Sequence, residues 1–312
     1  MENSVNVNQK TFFGHPMGLF ILFFTELWER FSYYGMRAIL VLYLVSETSG
    51  DNPGMGWSDS SALALYGWYT MFVYLATIPG GILADRYLGQ RKSVMLGGLL
   101  LCFGHGILAL EALWAFYTGL VFIVLGVGCL KGNISTMVGG LYGKDDHNKR
   151  DMGFYIFYMG INIGAAVSAL LVGYIGEVYN WHYGFGLAGI GMAIGQIGYW
   201  KGQKYLTHVG NLIKLEPNKE DKSDNLFLQI FKKTNSLVGF SVTALIGLFI
   251  GYSGSWDYGL LFIGIAFAVG FAIVVYNDGN KIEKDRILVT YLAFLIVIVF
   301  WGAFEQAGGL MN

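Results

Sequence analysis

The chain has 312 residues, of which 54% are apolar, 16% aromatic and only 13% charged, and it carries 45 glycines. Its mean hydropathy is +0.50, whereas a soluble domain would hold about 25% charged residues. A soluble enzyme or nucleic-acid binder is therefore excluded, and an all-α polytopic membrane protein is expected. The net charge of −1 says nothing about partners, because the charges are segregated along the chain.

Nine apolar spans are expected, near 17–45, 61–84, 93–112, 114–140, 153–177, 183–205, 236–254, 257–276 and 287–311. No signal peptide is read, since the first residues are polar and the first span has no cleavage-type end.

That first span, long enough to cross a bilayer, encloses Glu26-Leu-Trp-Glu29-Arg30-Phe-Ser-Tyr33-Tyr34-Gly-Met-Arg37. Each such charge at the centre of a membrane helix costs about 2.5 to 3.5 kcal/mol even on lenient insertion scales. Glu26, Glu29 and Arg30 stand at i, i+3 and i+4 and share one face. Tyr33, Tyr34 and Arg37 continue that stripe. It is read as a cavity wall, or else as a self-neutralising cluster that glues helices together.

After the second span comes Gly80-Gly81-Ile-Leu-Ala-Asp85-Arg86-Tyr-Leu-Gly89-Gln-Arg91-Lys92. Its glycines would let two helices approach, and Asp85 could pair with a basic group or cap a helix N-terminus. His105 in the third span is read as a packed core residue. Lys131 lies near the middle of the fourth span, at a depth like that of Arg30. It needs a carboxylate partner or a shifted protonation equilibrium, so it is either half of a structural Lys–Glu pair or a lysine whose partner changes. Asn162 in the fifth span sits between Gly160 and Gly164, where an interhelical hydrogen bond is one reading. Trp301, Glu305 and Gln306 recur in the ninth span.

The loops orient the chain. Seventeen of the twenty basic residues fall on one side, while the other side holds only acids such as Glu47, Asp51, Asp59, Glu111, Glu177 and Asp257. The N-terminus is accordingly expected in the cytoplasm of an inner-membrane, multi-pass protein. The three remaining basic residues, Arg30, Arg37 and Lys131, are intramembrane, and Glu26, Glu29 and Glu305 balance them. Protonating one carboxylate would leave a positive cavity suited to a substrate carboxylate.

The expected divisions are a six-helix bundle over 1–206, a cytoplasmic linker over 207–235, a transmembrane hairpin over 236–277 and one further helix over 278–312. Several motifs are discounted. Gly184-Phe-Gly-Leu-Ala-Gly189 resembles a dinucleotide-binding pattern but lies in an apolar helix without a preceding strand, so its glycines are packing glycines. Asn133-Ile-Ser135 is a glycosylation acceptor placed in the membrane. Gly251-Tyr-Ser-Gly254 lacks the downstream histidine that an intramembrane protease would need. Cys102 and Cys129 fall in apolar spans, and no metal site or cofactor is expected.

The motif at Glu26, Glu29, Arg30, Tyr33 and Tyr34 resembles that of the proton-dependent oligopeptide transporter family of the major facilitator superfamily. The loop signature from Gly81 to Lys92, the Lys131–Asn133 and Gly160–Asn162 segments, and Phe300-Trp301 with Glu305-Gln306 follow in the family's order. The likeness covers essentially the whole chain, and the hairpin at spans seven and eight is similar to one in bacterial members. Gly132 departs from the family, many members having proline there, which bears on the kinking of the fourth helix.

The resemblance implies a proton-coupled importer of di- and tripeptides, with protons, peptides and the bilayer as partners and no nucleic acid. Glu26, Glu29, Arg30 and Lys131 would couple protons. Arg37, Tyr33, Tyr34, Tyr74, Lys131, Asn162, Trp301 and Glu305 would line the peptide site. Gly81, Asp85, Arg86, Gly89, Arg91 and Lys92 would lock one conformational state. Arg37 and Glu305 are expected at matching depths, facing each other across two halves. The family has twelve core helices in two halves, and this chain supplies the first half, the hairpin and one helix more, which reads as a truncated form unable to transport alone. A carrier of nitrate or another small anion, or a non-transporting receptor, are the other readings. The double tyrosine and the three acids favour peptides.

Overall fold

A computed structural model of the chain describes residues 10–143, 145–212, 242, 245–249, 262, 276 and 280–305. The chain forms two compact units, the first reaching residue 214 and the second spanning residues 215–306.

The first unit opens with a two-stranded antiparallel ribbon, β1 (Thr11–Phe12) and β2 (His15–Pro16). Six long helical segments follow. They are α1 (Met17–Val45), the run α2 (Asp59–Leu75), α3 (Thr77–Leu83) and a π-helical turn (Ala84–Leu88), then α4 (Gln90–Leu108), α5 (Leu113–Gly140), α6 (His147–Val178) and α7 (Trp181–Gly202). The described part of the second unit is chiefly α8 (Lys281–Glu305). Most of the expected hairpin and of the expected linker lies outside the described residues, as does the discounted motif at Gly251.

By length and composition, Asp59–Leu88, Leu113–Gly140 and His147–Val178 can cross a membrane. The 29-residue α1 is as long. Every stretch of 18 residues in it, however, includes at least three of Glu26, Glu29, Arg30 and Arg37. Its burial resolves the conflict, because those four side chains turn into the bundle.

Local chemistry sets the helix ends. The Ser61 N–H donates to Ser58 Oγ at 3.4 Å to open α2, and the His182 N–H donates to Asn180 Oδ1 at 2.8 Å to open α7. The second span is interrupted at Ala76, one turn ahead of Pro79, which has no N–H to give the carbonyl of Leu75. No such interruption occurs in α5, where Gly132 stands on an open face. Asn52, in the α1–α2 loop, clamps the α6–α7 turn by donating to the Gly176 carbonyl at 2.8 Å and accepting from the Trp181 N–H at 3.1 Å.

Packing rests on glycine. In α4 and α5 the pairs Gly97–Gly126 and Gly104–Gly119 oppose one another, and a Cβ on any of the four would press on its partner's carbonyl oxygen. In membranes such small-residue seams let backbones approach and replace the hydrophobic drive that lipid removes. The discounted Gly184–Gly189 motif lies in α7, where Gly184 packs on Ile39 and Gly189 on His105. Both ring nitrogens of His105 are buried without a hydrogen-bond partner among the described residues.

Candidate functional site

The charged stripe of α1 is buried almost completely. Glu26, Glu29, Arg30 and Arg37 are 3%, 0%, 2% and 9% exposed. Arg30 meets Glu29 through two guanidinium nitrogens, one to each carboxylate oxygen. Its Nε also lies 3.3 Å from Glu26 Oε1. The i,i+4 spacing anticipates the Glu26 contact, yet the tighter pairing is with the adjacent Glu29. Arginine's long stem and flat fork allow this bidentate grip. Glu26 Oε2 is buried without a hydrogen-bond partner among the described residues.

Above this triad the tyrosines form a cage. The guanidinium of Arg30 lies 5.0 Å from the ring centroid of Tyr33 and 5.5 Å from that of Tyr34, and Arg37 lies 5.5 and 5.8 Å from the same two rings. Two adjacent tyrosines thus bridge two arginines about two helical turns apart, each ring lending its negative face to both cations. The two rings meet edge-on, with centroids 5.5 Å apart.

The second span completes the cage. Arg37 donates to the Tyr66 hydroxyl and lies 5.2 Å from that ring's centroid. Tyr69 is 5% exposed, and its hydroxyl has no hydrogen-bond partner among the described residues. It lies within electrostatic range of Tyr33, Arg37 and Glu29. Tyr66 and Tyr69 were missing from the sequence-based site. The available signal was the α2 stripe Ala62, Tyr66, Tyr69 and Val73, all buried and spaced by four, three and four residues.

Lys131 on α5 reaches the same place. Its ammonium lies 4.6 Å from the ring centroid of Tyr74 and is near enough to act electrostatically on Glu26. Lys131 and Arg30 thus both act electrostatically on Glu26. Asn162 on α6 is exposed and makes no hydrogen bond to another described residue, so the interhelical bond is absent from this arrangement. Trp301 and Glu305 belong to α8, and their side chains, with Gln306, lie outside the described residues. The expected Arg37–Glu305 approach falls there too.

The loop motif is a separate locus. A Cβ on Gly80 would strike the backbone of Gly128, and one on Gly128 the backbone of Ala76. Gly81 faces open space, so the close approach expected of it belongs to Gly80. Asn133 braces this crossing by donating to the Gly80 carbonyl at 3.4 Å and to the Cys129 carbonyl at 2.8 Å. Asp85 is exposed and makes no ion pair with another described residue. The N-cap of α4 is Gly89 at φ 78°, without a side-chain cap, so among the described residues Asp85 neither pairs with a basic group nor caps α4. Arg86 and Lys92 are exposed. The Arg91 N–H donates to the Gly210 carbonyl at 2.9 Å, and the Tyr199 hydroxyl donates to the Arg91 carbonyl at 2.9 Å. These bonds tie the start of α4 to the end of α7.

A six-span bundle lined by buried carboxylates, guanidiniums and tyrosines defines a multi-pass membrane protein of the major facilitator type. A POT family profile matches residues 91–312, and the chain belongs to that family. It is 42% identical over 325 residues to a di-/tripeptide transporter of Lactococcus lactis subsp. cremoris, covering 100% of this chain and 63% of that protein. It is similar to a crystal structure of a peptide transporter POT mutant in complex with alafosfalin, at 37% identity and a TM-score of 0.74, covering 97% of this chain and 61% of that one. A POT family transporter in complex with 5-aminolevulinic acid matches at 34% identity and a TM-score of 0.76, covering 96% of this chain and 62% of that one. The chain thus spans less than two thirds of the length of these relatives.

Proposed function

We propose that the chain contributes the first half of a proton-coupled importer of di- and tripeptides, working by alternating access in the inner membrane with its N-terminus in the cytoplasm. The observation that carries this reading is a single buried guanidinium, Arg30, shared by the two buried carboxylates Glu29 and Glu26. Protonating either acid shifts the share of Arg30 held by the other and leaves the stripe net positive. The positive stripe then attracts a peptide carboxylate toward Arg37 and Lys131. The tyrosines Tyr33, Tyr34 and Tyr74 supply hydroxyls and ring faces for the backbone and termini. Asn162, exposed and without a hydrogen bond to another described residue, offers both amide donors and its carbonyl.

Trp301 and Glu305 are assigned to the peptide site by the family resemblance, Glu305 as an acid for a basic partner or a peptide amine. Residues 1–206 form the bundle, 207–235 the linker, 236–277 an added hairpin and 278–312 the start of a second bundle. The loop from Gly81 to Lys92 sets the conformational state rather than touching substrate. The relatives named as di-/tripeptide and peptide transporters support peptides over small anions.

The test is uptake of a labelled dipeptide by proteoliposomes of the full-length transporter, with and without an inward proton gradient. Accumulation that follows the gradient is the expected result. Dipeptide uptake indifferent to the gradient, or nitrate uptake in its place, overturns the reading.

A further inference from the structure

We propose that the ribbon preceding α1 is an interfacial anchor, which seats Phe12 and Phe13 in the lipid headgroup region beside the first turn of α1. Strands β1 and β2 are joined by the two-residue turn Phe13-Gly14, with φ of 48° and 76°. Two successive positive φ values match the right-handed twist of a hairpin, and such turns favour Asn-Gly or Gly-Gly. A bulky residue at positive φ is a conformational outlier. Phe13 accepts that conformation and yet is 82% exposed, making it the most exposed of the large apolar side chains described. Backbone strain maintained for a ring that touches little protein calls for a partner outside the protein.

The surroundings fix which partner. The ribbon is rigid, because the Met17 N–H donates to the Lys10 carbonyl at 2.9 Å and His15 Nδ1 lies 2.8 Å from the Tyr142 hydroxyl at the end of α5. Phe12 packs on Phe13 with centroids 4.3 Å apart and on Phe20 of α1 at 5.1 Å. The apolar surface of the ribbon is therefore continuous with that of α1 and begins at the N-terminal end of that helix. Lys10 sits exposed at the base of the ribbon, suited to the phosphates of the same leaflet. Aromatic rings flanked by basic side chains at a helix end are the composition of a bilayer interface.

The experiment uses the whole chain in phospholipid nanodiscs, with Cys102→Ala and Cys129→Ala, and a nitroxide on Phe13→Cys. Collision with oxygen exceeding collision with a water-soluble nickel chelate, at a depth just below the phosphates, is the expected outcome. Preferential collision with the chelate overturns the proposal, and so does low collision with both, which means the site is covered by protein. A second measurement uses Phe13→Asn, a residue that suits the turn better and so leaves the ribbon intact. Tryptic cleavage after Lys10 in nanodiscs should become several-fold faster than in the wild type. An unchanged or slower rate overturns the anchor, because the turn itself is only strengthened.

Discussion

Glu29 and Glu26 look equivalent on paper, yet their surroundings make opposite demands. Both oxygens of Glu29 are engaged by Arg30, and the residue is fully buried. Converting it to glutamine removes the main counter-charge of a buried guanidinium, a loss that costs about 3 to 5 kcal/mol where no other partner exists. Here Glu26 remains, with Oε1 at 3.3 Å from Arg30 Nε. The gross attraction across that distance is about 5 kcal/mol at an effective dielectric constant of 20, before desolvation is subtracted. Glu29→Gln should therefore cost near the lower end, about 3 kcal/mol. Glu26→Gln removes a charge whose second oxygen has no hydrogen-bond partner among the described residues. Its cost should stay within about 1 kcal/mol, the net worth of one hydrogen bond. Thermal unfolding of the purified variants in one detergent, followed by tryptophan fluorescence, should show Glu29→Gln melting several degrees below wild type and Glu26→Gln close to it. In the full-length transporter, Glu29→Gln should abolish gradient-driven accumulation while sparing peptide counterflow. Equal melting temperatures, a more damaging Glu26→Gln, or proton-driven uptake at the parental rate in Glu29→Gln would refute the assignment of Arg30 to Glu29.

The other predictions concern packing, substrate capture and pH. Gly128→Leu should sharply lower the yield of monodisperse protein, because its side chain meets the backbone of Ala76 and overpacking costs at least about 1 to 3 kcal/mol. Gly132→Ala, into open space, should raise the melting temperature through a helix propensity gain of up to about 1 kcal/mol, and size-exclusion profiles of the two variants check both. Tyr66→Phe removes the hydroxyl that receives Arg37 while keeping the ring, so it should weaken dipeptide competition in an uptake assay several-fold with little loss of yield. Burial pushes the Tyr142 phenol up from 10 to about 12. Its folded-state value lies above the unfolded one, so its contribution is intact below pH 10 and is lost as pH rises through 12. Unfolding midpoints should fall more steeply between pH 10 and 12 in the wild type than in Tyr142→Phe, and parallel curves would contradict this.

Sequence made most of the first unit legible because the signals were strong and local. The span at 17–45 coincides with α1, and the four charges inside it announce the site through their desolvation cost. The Gly184–Gly189 stretch proved to be packing because a strand was needed for any other use. What escaped was non-local. Tyr66 and Tyr69 are two of 20 tyrosines, and nothing in α2 alone marks them until Arg37 is brought opposite. The bidentate choice of Glu29 over Glu26 depends on side-chain rotamers, which spacing cannot set. Gly80 and Gly81 are indistinguishable as letters, and only the direction of α5 decides which one takes the contact. The start of α4 has the same origin, held by the backbone of residues after α7 through the Arg91 N–H to the Gly210 carbonyl.

The seam between α4 and α5 places peptide backbones, rather than side chains, against each other at Gly97, Gly104, Gly119 and Gly126. Helices meshed through side chains can slide by hopping between rotamers. Helices touching through their main chains have no such gear to slip. These two spans are joined by only a short turn between Leu108 and Leu113, so they can close into one rod as soon as both have emerged during synthesis. From then on the rod is a fixed fulcrum against which the remaining spans must tilt. Lipid-facing positions along it are free to drift over generations, while any residue larger than glycine on the seam would pry the fulcrum apart.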